Sequence, residues 1–206
     1  MLTLKLAKRI ESMNVTLKGE FVDLRPLTPD DAALTFRWRQ SERAANLNRG
    51  AQTVEQQVVW LASRSASEYN FIIVLKNGTP VGMVSVSGID KIHRHAEPGR
   101  FLIADEEAVR GIPAAVEAMK LVYELIFDEL KLLRVYGTIA SDNLLMMKWQ
   151  TFLGMREEGR LRNHYFLNGH FQDAVMVGML ADEYRKIALP RMNALIAAGR
   201  PRVAKT

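Results

Sequence analysis

The chain of 206 residues has no cysteine, and that absence removes disulfide frameworks, thiolate metal sites and cysteine nucleophiles together. A protein without thiols has no need of an oxidising compartment, so a cytoplasmic location is expected. Histidine is scarce as well. Of four, only His93 and His95 stand two apart on what reads as one strand face, and two imidazoles without a third ligand give no metal site. Long apolar runs are also missing. The opening MLTLKLAKRIESMNV is broken by Lys5, Lys8, Arg9 and Glu11, which leaves neither a signal-peptide core nor the ~20 apolar residues of a membrane span. Residues 1–16 are expected to form an N-terminal extension, and no membrane partner is expected. Finally, the body lacks net positive charge despite a formal total of +5, because residues 184–206 carry six Lys or Arg and no acid, so that residues 1–183 sum to −1. A basic C-terminal helix or tail over 186–206 accounts for the basicity, which argues against a nucleic-acid partner.

What is present is ordinary for one globular domain, placed at 17–185, with 48% hydrophobic and 25% charged residues in the whole chain. Phe21 to Leu24 alternate as a first strand. TPDD at 28–31 supplies a cap, an early proline and acids for a helix over roughly 30–45. Thr53 with Gln56 makes a capping box ahead of Val54, Val58 and Leu61 at helical spacing. NFIIVLK, then Asn77-Gly78, then PVGMVSVSGI predicts a hairpin through a tight two-residue turn, and PGRFLIA a third antiparallel neighbour after the polar KIHRH. From Pro113 onward, Val116, Met119, Val122, Tyr123, Ile126, Phe127 and Leu130 recur at steps of three and four, which places one apolar stripe on a sheet and turns Glu117, Lys120 and Glu124 outward. LRVYGTIA reads as a strand, SDNLLMMKWQTFLG as a capped helix closed by Gly154, and the segments flanking LNG as a closing hairpin. This order predicts an α/β (α+β) domain, a mixed sheet with helices packed on it.

VRGIPAAVEA runs from a strand through small residues into a helix start. The first N–H groups of a helix lack intrahelical acceptors and sit at the positive end of its dipole, so such a turn is an anion site, with plain helix capping as the alternative. Together with SDNLL and FLGMREEGRLRNHYFLNGHFQDAVMVGML, this order resembles the GNAT superfamily of acyl-CoA N-acyltransferases, most closely its RimJ/RimL-like branch, over about residues 17–185. The resemblance implies the GNAT fold, a mixed, mostly antiparallel central sheet of about seven strands flanked by helices. It implies acetyl-CoA as cosubstrate and N-acetyl transfer to a primary amine, either a protein N-terminus or a small molecule. The family's Gln/Arg-x-x-Gly-x-Gly/Ala coenzyme turn begins at Arg110. Pro113 replaces the usual central glycine and deletes one donor. The amides of Arg110, Gly111, Ile112, Ala114 and Ala115 and the Arg110 side chain remain as donors.

By the same resemblance, a splayed fourth strand brings a backbone amide among Phe101, Leu102, Ile103 and Ala104 to the thioester carbonyl. Glu97 on that strand is the candidate base, with an Arg-paired surface glutamate as the alternative. Tyr165, with His164, occupies the site where the RimJ/RimL branch has an acid, and a core-packed tyrosine is the competing role. The positions where relatives place an acid for the leaving thiolate read Gln150 and Met146, and neither can donate that proton. Asn143 is expected to bond the pantetheine arm, to cap its helix, or both. Trp38, Arg39 and Trp60 lie on the early helices that wall the acceptor cleft, and FRWRQSE resembles the first helix of relatives acting on nucleotide-linked amino sugars or antibiotics. A non-catalytic acyl-CoA-binding or sensing module is the alternative to an enzyme. The closing strand of this family often pairs across a homodimer.

Overall fold

The computed structural model describes residues 15–64 and 68–200, so nearly all of the expected N-terminal extension and the end of the basic tail lie outside the described residues. Strands β1 (Leu17–Lys18) and β2 (Val22–Pro26) come first, then α1 (Ala32–Gln40) and α2 (Val54–Ala62). A meander of β3 (Tyr69–Leu75), β4 (Pro80–Asp90) and β5 (His95–Ile103) leads to α3 (Ala114–Glu124), which ends in a π turn (Leu125–Glu129). After these come β6 (Arg134–Ala140), α4 (Leu144–Phe152), β7 (Arg156–Leu167) and β8 (His170–Leu180). The described chain closes on α5 (Ala181–Glu183), a π turn (Tyr184–Ala188) and α6 (Leu189–Ala198).

The strands form one sheet of eight in the order β1-β2-β3-β4-β5-β6-β8-β7, with β5–β6 as its parallel pair. The strand beyond the expected seven is β1, whose two residues pair with Leu24 and Asp23 and are too few to show a periodicity. Alternation in the strands sends Phe71, Ile73, Val84 and Ile103 to one face and Ile72, Met83 and Leu102 to the other. The first face packs against Val122 and Ile126 of the α3 segment and against Met192 and Ile196 of α6, whereas the second packs against Ala44 and Trp38. The C-terminal helix therefore contributes to the main core, with Met192 fully buried. Among the described residues, no helix is long and apolar enough to cross a membrane.

Local signals explain most element ends. Thr53 Oγ1 accepts from Gln56 N at 3.2 Å, and Gln56 Oε1 accepts from Gln52 N at 2.8 Å, so the box closes one residue earlier than the usual pattern. The helix expected over 30–45 is shorter, because Ser41 Oγ donates to Trp38 O at 2.7 Å and ends α1 before a separate turn of 3-10 helix at Glu42–Ala44. The Asn77-Gly78 hairpin is also looser than a two-residue turn. Leu75 N donates to Thr79 O and Gly78 N to Leu75 O, giving a three-residue loop with Gly78 left-handed at φ 87°. Asn168 and Gly169, at φ 52° and 82°, make the closing hairpin's tight turn.

Glu117 overturns the outward orientation expected for it. It is only 4% exposed, and its carboxylate accepts from the backbone N–H groups of Glu20, Phe21 and Val22, each at 2.7 Å. Gly19 is required beside it, because a Cβ there would lie 2.7 Å from the Glu117 carboxyl carbon. Lys120 and Glu124 do face outward, paired at 2.6 Å.

Candidate active site

The two central parallel strands pair at His95↔Arg134 and Ala96↔Val135, and then diverge. From that fork, Glu97 to Phe101 line one wall of a cleft of about 410 Å³, and Tyr136 to Ala140 line the opposite wall. The splay has a local cause on β5. Its register with β4 runs Ser85↔Gly99 and then Met83↔Leu102, so β5 carries one residue more than β4 across this gap. Arg100 takes up the bulge in a left-handed conformation, φ 50°.

Several expected site residues meet in this cleft: Glu97, Phe101, Asn143 and Tyr165, with Arg39 and Trp60 on the side of the early helices. Glu97 sits at the fork itself, half-buried, and burial raises its carboxyl pKa against the opposing pull of Arg100. Tyr165 is not packed into the core. Its hydroxyl bonds Thr138 Oγ1 at 2.6 Å, across from β7 to β6. Asn143 Oδ1 accepts from Met146 N at 3.2 Å as the α4 cap, while also lining the cleft. Met146 and Gln150 do stand at the cleft wall, joined by a contact of 3.7 Å from Gln150 Nε2 to Met146 Sδ.

Other expected residues lie apart. Trp38 packs on the second core cluster, and exposed His164 rests its ring edge-on against Tyr165 rather than lining the cleft. Leu102 and Ile103 bury their side chains in the core, and the Ala104 amide is already spent on Val81 O at 2.8 Å. That corrects the expected set of free β5 amides at its C-terminal end. Tyr136, Thr138, Arg49 and Arg100 line the cleft without having been singled out in the sequence. Period-two alternation along RVYGTIA could have marked Tyr136 and Thr138 as one face, but nothing local marks that face as a cleft wall. Tyr136 fits there because Gly88, at φ 57°, leaves room: a Cβ on it would lie 2.8 Å from the hydroxyl. Burial and the Glu97 charge raise the pKa of that phenol.

The coenzyme-like turn lies outside the cleft lining. Two of its five expected donors are used internally, Arg110 N on Glu107 O at 3.2 Å and Ile112 N on Val109 O at 2.9 Å. Gly111, at φ 76°, and the helix-start amides of Ala114 and Ala115 are left without an acceptor among the described residues. Arg110 pairs with Glu107, both side chains about three-quarters exposed, a contact weak enough to yield to a phosphate. Met119 lines the cleft four residues beyond Ala115, roughly 6 Å along the helix. The turn is thus about one helical turn from the cleft lining. Pro113 is buttressed from the far end of the chain, since a Cβ on Gly199 would lie 2.6 Å from its Cδ. Gly199→Val should push the turn out of place and weaken acetyl-CoA binding about tenfold, roughly 1.4 kcal/mol. Titration calorimetry on variant and parent checks this, and equal affinities would mean that the turn tolerates the displacement.

A family model described as the acetyltransferase (GNAT) domain matches residues 22–156, which include β2 to β6 and the whole fork. The chain belongs to this GNAT acetyltransferase family. This GNAT domain is 28% identical over 118 residues to spermidine N(1)-acetyltransferase of Escherichia coli K12, covering 57% of the chain and 61% of that protein. It is 32% identical over 111 residues to the Bacillus subtilis protein described as "Putative ribosomal N-acetyltransferase YdaF", covering 54% and 59%. The match thus spans about three-fifths of the length of these curated relatives. Among solved structures, the Vibrio cholerae spermidine N-acetyltransferase in complex with CoA and spermine superposes with a TM-score of 0.71 at 21% identity, over 82% of this chain and all of that one. At that identity the likeness establishes the fold.

Proposed function

We propose that the protein is an acetyl-CoA-dependent N-acetyltransferase acting on a primary amine, and that it belongs to the RimJ/RimL-like branch. The observation that carries the transferase reading is the fork after Ala96 and Val135, with a burial-raised carboxyl at its apex and a helix-start turn whose helix reaches the cleft lining at Met119. In the transfer, the neutral amine nitrogen attacks the thioester carbonyl carbon, a C–N bond forms, the C–S bond breaks, and the sulfur leaves with the electron pair. Glu97 takes the amine proton, directly or through one water. The thiolate needs a proton in return. We assign that donation to the Tyr165 hydroxyl, which bonds Thr138 Oγ1 at 2.6 Å. The amides of Gly111, Ala114 and Ala115 and the Arg110 guanidinium would receive the pyrophosphate. Asn143 and Phe101 flank the path between.

The curated relatives named for spermidine and for ribosomal acetylation both support an amine acceptor. A homodimer would use the outer edge of β7, which is the last strand of the sheet. We place the enzyme in the cytoplasm on the strength of its cysteine-free sequence.

Acetyl-CoA should protect the protein against heat, because a ligand that binds only the native state shifts stability by mass action, about 2.7 kcal/mol at 100 times the dissociation constant. Thiol release with an amine panel then tests turnover. No protection at millimolar acetyl-CoA would sink the cosubstrate assignment, and protection with no thiol release from any amine would favour the sensing module.

A further inference from the structure

The acceptor side of the cleft carries positive charge that acetyl transfer itself does not require. Arg39, Arg49 and Arg100 line it, and Glu97 is the sole carboxylate among the lining residues. Arg100 is compensated, with its Nη1 3.1 Å from Glu68 Oε2, and Arg64 shares the same carboxylate at 3.7 Å. Arg64 and Arg100 both stack on the Trp60 ring, at 4.2 and 5.7 Å from its centroid. Arg39 and Arg49 have no carboxylate partner among the described residues. One nitrogen of Arg39, Nη1, is buried with no hydrogen-bond acceptor among the described residues, while Nη2 donates to Asn48 O. Burial and the nearby Arg100 push the Arg39 pKa down, as expected of a cation held without a counter-charge.

The loop that brings Arg49 to the cleft is fixed in place. Residues 46–51 all line the cleft, and α1 pins them through Arg39 on Asn48 O and through Gln40 Nε2 on Ala51 O at 2.9 Å. Gly50 N closes on Asn48 Oδ1 at 2.9 Å. A planar guanidinium with an unpartnered nitrogen, in a cleft that a second uncompensated arginine also lines, suits a compact anion with several oxygens. Resting on the transferase reading above, we infer that the acceptor is a primary amine that also carries a phosphate or carboxylate, seated between Arg39 and Arg49 with its amine directed at Glu97. A polyamine such as spermidine would bring more positive charge to a wall that already has an excess of it.

The test is calorimetric titration of the protein, saturated with coenzyme A, by matched amines: phosphoethanolamine against ethanolamine, and 4-aminobutyrate against butylamine, with spermidine as the polycation. Thiol release from acetyl-CoA follows with the same set. Each anionic amine should bind about tenfold or more tightly than its uncharged counterpart, the size of one charge-assisted pair. The more strongly discriminated pair identifies the anion as phosphate or carboxylate. Arg49→Gln should collapse the preference, raising KM for the anionic amine about tenfold more than for its uncharged counterpart, with kcat held. Arg39→Gln should do the same, and Arg49, exposed and without a side-chain bond among the described residues, keeps the test open if the Arg39 variant fails to fold. Equal binding within both pairs, tighter binding of spermidine, or a preference that survives Arg49→Gln would each overturn the inference. Charge-dependent binding without thiol release would preserve the anion site between the arginines and count against the transferase reading. Thiol release fastest with spermidine would do the reverse.

Discussion

Glu117→Ala is expected to lower the melting temperature by roughly 8–16 °C, which follows from a loss of about 4 kcal/mol at 2–4 °C per kcal/mol for a chain of this size. The loss comes from what the carboxylate leaves behind. Its two oxygens accept three consecutive backbone N–H groups, of Glu20, Phe21 and Val22, and the last of these bonds is buried. Removing the carboxylate strands those donors where water reaches them poorly, and a stranded buried donor costs about 1–3 kcal/mol. Glu117→Gln should recover only part of the loss, because an amide offers one acceptor oxygen and turns its own N–H₂ toward a donor. Scanning calorimetry without ligand reads the effect. A fall of less than about 2–4 °C, near 1 kcal/mol, would show that the turn between β1 and β2 holds itself without the carboxylate. The contact also ties the start of the sheet to the helix that begins at the coenzyme-like turn. The Glu117→Ala variant should therefore bind acetyl-CoA more weakly even well below its melting point.

Glu117 marks the boundary of what the sequence makes legible. Features whose partners lie within a few residues could be read directly: Thr53 with Gln56, Asn143 with Met146, Gly154 after α4, and Asn168-Gly169 between β7 and β8. Features whose partners lie far along the chain could not. Glu117 reaches back 95 residues to Val22, and Gly199 reaches back to Pro113. Periodicity assigned Glu117 to the solvent face because it counts apolar positions, and a carboxylate buried by hydrogen bonds looks the same as a solvated one. Trp38 and Arg39 show the same limit at the site. Neighbours on a helix point about 100° apart, and only the tertiary packing decides that Trp38 faces the second core cluster and Arg39 the cleft. Family resemblance reached further than periodicity here. It pointed to Glu97 and Tyr165, which both line the cleft, although only the register shift between β4 and β5 shows why the strands part at Glu97.

Glu97→Gln should reduce turnover by roughly 10²- to 10⁴-fold, the range of general acid–base catalysis, while leaving acetyl-CoA affinity nearly intact. The pH dependence gives the assignment a second, independent signature. Burial raises the Glu97 pKa above its ordinary 4.5, and a base works only when deprotonated, so on the proposed reading the parent protein should lose transfer activity as the pH falls through that raised value. Arg100 opposes the shift, so Arg100→Gln should move this acid limb to higher pH. Glu97→Gln should abolish the limb. Stability should respond in the opposite direction. A carboxyl with a raised folded-state pKa contributes fully below its unfolded value, and that contribution is lost as the pH rises through the folded value. At pH 7 to 8 the ionised Glu97 therefore weakens the fold, and Glu97→Gln should melt at an equal or higher temperature while turning over far more slowly. A structural, Arg-paired glutamate would behave otherwise, since its loss would lower the melting temperature and spare the rate. If Tyr165 returns the proton to the thiolate, Tyr165→Phe should also slow turnover, and its deficit should shrink with an acyl donor whose thiol leaves more readily. Wild-type rates in both variants on a verified acceptor would mean that neither group handles a required proton, and that the fork accelerates transfer by positioning and backbone amides alone.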